Sequence, residues 1–185
     1  PGVKYFLERQ PLSWRDLAFG NLIPGCAMVI DRKLLDQSLP IPEDSVLHDW
    51  WIALCACCLG EIQYVDGAAI YYRLHLNNDQ GVPGWRSTLS ELIRASPHEL
   101  AVGNFIAAFR QVQELTRRME ELQEFRISQE LSNISDLPSL KPLQRLRRLA
   151  DLQITRRSRF HTMVSYAVSM LVSKKRIDAG RSRVD

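Results

Sequence analysis

The chain has 185 residues, of which 45% are hydrophobic and 24% are charged; this composition excludes a disordered or fibrous protein and fits one folded domain with a long appendage. The net charge of +3 is unevenly spread, because residues 1–80 carry 6 basic and 10 acidic side chains whereas residues 138–185 carry 12 basic and 3 acidic ones. No segment has the roughly 18 apolar residues that a membrane-spanning helix needs. The sequence therefore predicts a folded front part and a basic tail that meets an anionic partner.

The first forty residues predict short elements. Residues 3–19 favour a helix or a loop, and the apolar residues 21–30 predict a buried strand. Residues 31–39 predict a short helix that ends before Pro40 and Pro42, because proline disfavours a helical residue in front of it.

The next elements surround a strongly apolar segment. Residues 48–59 are apolar on every side, which predicts a buried helix that ends at Gly60. Residues 62–65 and 68–74 then predict two strands, and residues 77–87 predict a loop.

The second half of the chain predicts helices. Residues 99–131 read as one long helix, 132–142 as a linker, and 143–154 and 160–177 as two basic amphipathic helices. The long helix carries an apolar seam of fewer than three heptads, formed by Phe105, Ala108, Val112, Leu115, Met119 and Leu122. So short a seam favours packing on the rest of the domain over pairing between chains, and the second possibility stays open.

The cysteines predict free thiols. They are Cys26, Cys55, Cys57 and Cys58. Three of them lie within four positions of a predicted helix, which is a poor arrangement for a disulfide framework, and no His or Cys partners stand at zinc spacing. Free thiols favour a reducing, cytoplasmic setting, and we expect no metal bound by these cysteines.

Two short segments could carry chemistry. His48, Asp49, Trp50 and Trp51 open the buried helix, where an aspartate can cap free N–H groups or, beside aromatic faces, bind a sugar. Farther along, residues 72–78 end a predicted strand on which Arg73 and His75 share one face. A cation and an imidazole placed together suit a phosphate or a metal–phosphate, although a solvated strand end explains them equally well.

Taken together, these segments resemble the family 2 glycosyltransferases, in particular the rhamnosyltransferase-like branch. Order and spacing agree over about sixty residues, from residue 20 to residue 81. The residues that carry the resemblance are Asn21, Ile23, Gly25, Cys26, Pro40, Pro42, His48, Asp49, Trp51, Tyr72, Arg73, His75, Asn78 and Gly81.

The resemblance implies an α/β fold, the acceptor-side part of a GT-A, Rossmann-like transferase of nucleoside-diphosphate sugars. Residues 1–82 would be this incomplete catalytic portion, and residues 83–185 a mainly helical, basic extension. The family's Asp-x-Asp metal motif is missing from these residues. We therefore expect these residues to be a fragment that is inactive alone. The absent half of the transferase would bind the nucleotide.

The resemblance also implies roles for single residues. Asp49 would be the general base of an inverting transfer to a hydroxyl of a saccharide or lipid-linked saccharide. His75, helped by Arg73, would contact the diphosphate or its Mg²⁺ or Mn²⁺ ion. The implied contacts to donor sugar and acceptor are Gly25, Cys26, His48, Trp50 and Trp51.

The basic tail has three interpretations. Residues 143–177 suit an anionic membrane surface, which would make the protein peripheral on the inner face of a membrane. A solvated tail is equally compatible, whereas nucleic acid is not expected, because no binding motif accompanies the arginines. The rival to the transferase is a non-catalytic, membrane- or partner-binding module that retains a transferase-like core.

Overall fold

The computed structural model describes residues 11–66, 97–154 and 159–172. They form the helices α1 (Trp14–Leu17), α2 (Arg32–Ser38), α3 (His48–Leu59), α4 (Pro97–Glu121), α5 (Phe125–Ser135), α6 (Pro142–Asp151) and α7 (Arg159–Leu171). Two 3-10 turns occur at Gly25–Ala27 and Leu137–Ser139. The strand predicted for residues 68–74 and the loop predicted for residues 77–87 lie outside the described ranges.

The predicted α/β, Rossmann-like GT-A fold is wrong for the part of the chain that the structure describes, which is helical and contains no strand. Residues 21–30 hold a 3-10 turn instead of the predicted strand. Pro24 has no N–H to donate to a neighbouring strand, and Gly25 donates its own N–H to the side chain of Asp49. Residues 62–65 have no regular structure either.

The two predicted front helices are confirmed. α2 begins after Asp31, whose Oδ1 accepts a hydrogen bond of 2.8 Å from the N–H of Leu34 and so caps the first turn. α3 has the predicted bounds and is buried from Trp50 through Ala56. It ends at Gly60, whose N–H closes the last turn on the carbonyl of Ala56.

The long helix predicted for residues 99–131 is two helices. The chain breaks after Glu121 at Gln123, which adopts a left-handed φ of 63°. The N–H of Glu124 then bonds back to the carbonyl of Met119, which ends α4 and reverses the chain into α5. The predicted linker is shorter than expected, because α5 continues to Ser135.

The apolar seam of α4 lies inside the chain. Phe105, Ala108, Val112, Leu115 and Met119 are all buried in one core with residues of α1, α3, α5, α6 and α7, and Leu122 packs against that core. Phe19 and Phe105 stack with their ring centroids 4.7 Å apart. This burial confirms the prediction that the seam packs on the domain itself.

Arg118 fixes α4 to the segment after α2. Its guanidinium donates from Nη1 to the carbonyls of Gln37 and Leu39, at 2.9 and 2.8 Å, and from Nη2 to the carbonyl of Pro40, at 2.8 Å. The side chain is only 6% exposed. Three carbonyls of the front segment are therefore satisfied by one cation of the second half.

Arg145, counted above with the basic tail, is buried inside the helical bundle. Its guanidinium donates to the carbonyls of Pro138, Leu140, Ser169 and Val172, and burial lowers the pKa of this group. Arg145 is therefore no surface charge, whereas Arg147 on the same helix is exposed. Within the described ranges, no helix is both long and apolar enough to cross a membrane.

Candidate functional site

The carboxylate of Asp49 joins three segments of the chain. Its Oδ1 accepts hydrogen bonds from Asn21 Nδ2 at 3.0 Å and from the backbone N–H of Trp50 at 2.7 Å. Its Oδ2 accepts one hydrogen bond, from the backbone N–H of Gly25 at 2.8 Å. Each carboxylate oxygen can accept two hydrogen bonds, so Oδ2 keeps one lone pair for a further donor.

The position of Asp49 follows from the start of α3. Leu47, which precedes the helix, provides no side-chain cap. Asp49 lies in the first turn and accepts the N–H of Trp50, so it serves one of the unpaired donors there and meets the positive end of the helix dipole. The three donors together hold the carboxylate in one orientation.

Gly25 is packed against this carboxylate. A Cβ at position 25 would lie 3.1 Å from Cβ of Asp49, 3.4 Å from its Oδ2 and 3.3 Å from Nε2 of His48. These distances are shorter than ordinary van der Waals contact. The absence of a side chain thus lets the backbone N–H reach Oδ2.

His48 and Cys26 lie at the solvent-exposed edge of the site around Asp49. Both side chains are exposed, one beside Asp49 in α3 and the other beside Gly25 in the 3-10 turn. The structure therefore brings together four predicted site residues, Gly25, Cys26, His48 and Asp49, on an accessible face.

The side chains of the two tryptophans that follow Asp49 in α3 are buried. Trp51 has 0% exposure and donates from Nε1 to the carbonyl of Ser38 at 2.8 Å. Trp50 is 6% exposed and donates from Nε1 to the carbonyl of Leu17 at 2.6 Å. The ring of Trp51 has no exposed surface, so its burial gives no support to the predicted acceptor contact, which stays a prediction, whereas Trp50 lines a cleft.

This cleft, of about 350 Å³, opens between the start of α3, the first half of α4 and α7. Asn21 connects it to the carboxylate, since Asn21 both lines the cleft and bonds Asp49. Asn21 is the first residue of the pattern that resembles the glycosyltransferases, although the resemblance implied no role for it. That place in the pattern was the signal that could have assigned one.

The three thiols of α3, of which Cys55 is buried and Cys57 and Cys58 are half-buried, are not poised for chemistry. Burial raises the pKa of Cys55 to about 11 and that of Cys57 to about 12, and burial also raises the pKa of Cys58 well above its ordinary value. All three thiols are therefore protonated near neutral pH, which makes them poor nucleophiles and poor metal ligands.

The described ranges contain no group of three His, Cys, Asp or Glu side chains that could hold a metal ion. Asp49 is occupied by three N–H donors, an arrangement that suits a hydrogen-bonded carboxylate better than a metal ligand. Arg73 and His75, the residues predicted to contact a metal or diphosphate, lie outside the described residues.

Comparison with known proteins identifies no family for this chain. The chain matches no family model, no curated protein and no solved structure.

Proposed function

We propose that the chain is the acceptor-side part of an inverting glycosyltransferase, which moves a sugar from a nucleoside diphosphate to a hydroxyl of a saccharide or lipid-linked saccharide in surface polysaccharide synthesis. The observation that supports this proposal is the meeting of Asn21, Gly25 and His48 around the carboxylate of Asp49, across as many as 28 positions of sequence. These residues belong to the pattern that resembles family 2 glycosyltransferases.

In the proposed reaction Asp49 is the general base. Its Oδ2, which has a free lone pair, takes the proton of the acceptor hydroxyl. The acceptor oxygen forms a bond to the anomeric carbon as the bond from that carbon to the diphosphate oxygen breaks, and the nucleoside diphosphate leaves with the electron pair. The N–H groups of Asn21 and Gly25 orient the carboxylate, so that it need not reorganise when the hydroxyl arrives.

In this proposal, residues other than Asp49 and its neighbours bind the sugar donor. Arg73 and His75 would contact the diphosphate, and Mg²⁺ or Mn²⁺ would neutralise the charge that develops on it. The nucleotide would be bound by sequence that these 185 residues do not contain. We place the protein in the cytoplasm, in keeping with its free thiols, and at the inner face of a membrane through exposed basic residues such as Arg147.

The test is a transfer assay on the complete transferase that carries this chain, with Asp49→Asn as the variant. We expect turnover to fall by about 100-fold or more, the range typical of a removed general base, with little change in donor affinity. Asp36→Asn is the matched control, because Asp36 is an exposed aspartate whose ion-pair partner among the described residues is Arg32 on its own helix. Full turnover in Asp49→Asn would refute the assignment.

A second candidate function is a non-catalytic module that binds a partner or a membrane. It is favoured by the same carboxylate, because two of the three donors are backbone N–H groups and the aspartate could serve only to join the segments. This alternative predicts that no protein carrying the chain releases nucleoside diphosphate from any sugar donor. Flotation with vesicles containing phosphatidylserine, compared with neutral vesicles, would then identify a membrane partner.

A further inference from the structure

Apolar residues form much of the lining of the cleft that Asn21 connects to Asp49. Phe19 and Phe105 stack almost in parallel, with an interplanar angle of 6°, and both residues line the cleft. The indole of Trp50 adds a third aromatic side chain, and its Nε1 is already bonded to the carbonyl of Leu17. The indole therefore has no free donor, and Trp50 lines the cleft together with Val168 of α7.

Polar residues also line the cleft, and one of them, Asn21, contacts the carboxylate of Asp49. Asn21 donates to Asp49 through Nδ2 and accepts the N–H of Ile23 through Oδ1 at 3.0 Å, which leaves one lone pair on that oxygen. Asn104 of α4 also lines the cleft and is exposed. An occupant would thus meet apolar side chains, the amide of Asn21 beside the candidate base, and the polar residues Asn104 and Ser165.

We infer that this cleft binds the apolar aglycone of the acceptor, an aryl or branched alkyl group attached to the sugar whose hydroxyl reaches Asp49. The assignment of the sugar end rests on the proposed function, whereas the binding of the apolar end rests on the cleft alone. A volume of about 350 Å³ lies at the lower end of the range of roughly 300–1,000 Å³ for small-molecule sites. This size fits one ring or a short branched chain, and it excludes a folded partner.

The experiment compares two probes that differ only in the apolar group, phenyl β-D-glucopyranoside and methyl β-D-glucopyranoside. Binding to the full 185-residue chain is measured by saturation-transfer NMR titration. We expect the phenyl glycoside to bind at least about tenfold more tightly, because burying the ring removes apolar surface from water. Equal affinity of the two glycosides would overturn the inference.

Two variants test whether the phenyl glycoside binds in this cleft. Ala101→Phe and Asn104→Phe each put a ring into the cleft from α4, one from a half-buried and one from an exposed position. Both should reduce the affinity for the phenyl glycoside to that of the methyl glycoside. Gly103→Ala is the control on the same helix, since a Cβ there meets nothing within 4 Å. Unchanged binding in a folded cleft-filling variant would also overturn the inference.

The two proposals can fail separately. Full turnover in Asp49→Asn, together with phenyl binding that the cleft-filling variants abolish, would refute the transferase and retain an apolar site. Lost turnover in Asp49→Asn, together with equal binding of the two glycosides, would refute the aglycone site and retain the transferase.

Discussion

The side-chain amide of Asn21 donates a hydrogen bond of 3.0 Å to Oδ1 of Asp49, and no other side chain donates to this carboxylate among the described residues. An amide and a carboxylate of almost equal shape thus face each other, and only one of them is charged. The contact depends on position 21 being a donor.

Asn21→Asp should therefore be destabilising in a pH-dependent way. The change keeps the shape of the side chain but places two carboxylates together, which raises the pKa of the pair in the folded state. The free energy of unfolding should fall by about 1–2 kcal/mol at pH 7. The loss should be smaller at pH 4, because a raised folded-state pKa means that stability is present at low pH and is lost as the pH rises. Urea denaturation at both values, with Gln129→Glu at an exposed position of α5 as control, measures the effect; a loss that does not depend on pH would contradict it.

Two glycine-to-alanine changes should have opposite signs. Gly103→Ala adds a methyl group to an exposed position inside α4 and should stabilise the fold by about 0.5–1 kcal/mol. Gly25→Ala brings a Cβ to 3.1 Å from Cβ of Asp49 and should cost about 1 kcal/mol. Thermal melting of both variants beside the wild type checks this pair, and a stabilised Gly25→Ala would show that the contact relaxes freely.

Adjacent arginines in α4 should respond very differently to replacement by lysine. Arg118→Lys loses the planar fork that serves three carbonyls and should cost about 2 kcal/mol or more. Arg117→Lys, in which an exposed arginine pairs with Glu114 and Glu121, should change stability by less than about 0.5 kcal/mol. Urea denaturation compares the two variants, and similar losses would mean that the buried fork contributes little.

The thiols should divide into one fast and three slow groups on labelling with 5,5′-dithiobis(2-nitrobenzoate) at pH 8. Cys26 is exposed, whereas the raised pKa values of Cys55 and Cys57 keep both thiols protonated at that pH. The slow rates should rise with pH towards about 11, as the buried thiols begin to ionise. Cys26→Ser should remove the fast phase alone, and a fast phase of more than one thiol would contradict the burial of the others.

Local patterns predicted the helices well and the strands badly. Residues 48–59 are apolar all round and are followed by Gly60, so the bounds of α3 could be read from the sequence. Residues 21–30 are equally apolar, but Pro24 cannot donate to a sheet and Gly25 bonds a distant side chain. The break at Gln123 carries no glycine or proline, so nothing in the sequence marks its left-handed φ.

The candidate site was predictable as a set of residues and not as an arrangement. Spacing placed Gly25, His48 and Asp49 in one pattern, and the structure brings them together. The roles of Trp50 and Trp51 could not be read in the same way, because helical position alone does not tell which ring nitrogens find backbone carbonyls. Which ring nitrogen finds a carbonyl depends on the residues that pack against α3.

The hydrogen bonds from Arg118 to the segment after α2 affect how the chain can be split into two polypeptides for expression. A polypeptide that ends at residue 66 would lack Arg118, which donates hydrogen bonds to three of its backbone carbonyls. It would also lack Phe105, the stacking partner of Phe19. Co-expressed as two polypeptides, residues 1–66 and 67–185 would instead bring together the two described parts of one core. We expect them to be soluble together and to aggregate apart, which makes the chain suited to a split-protein reporter.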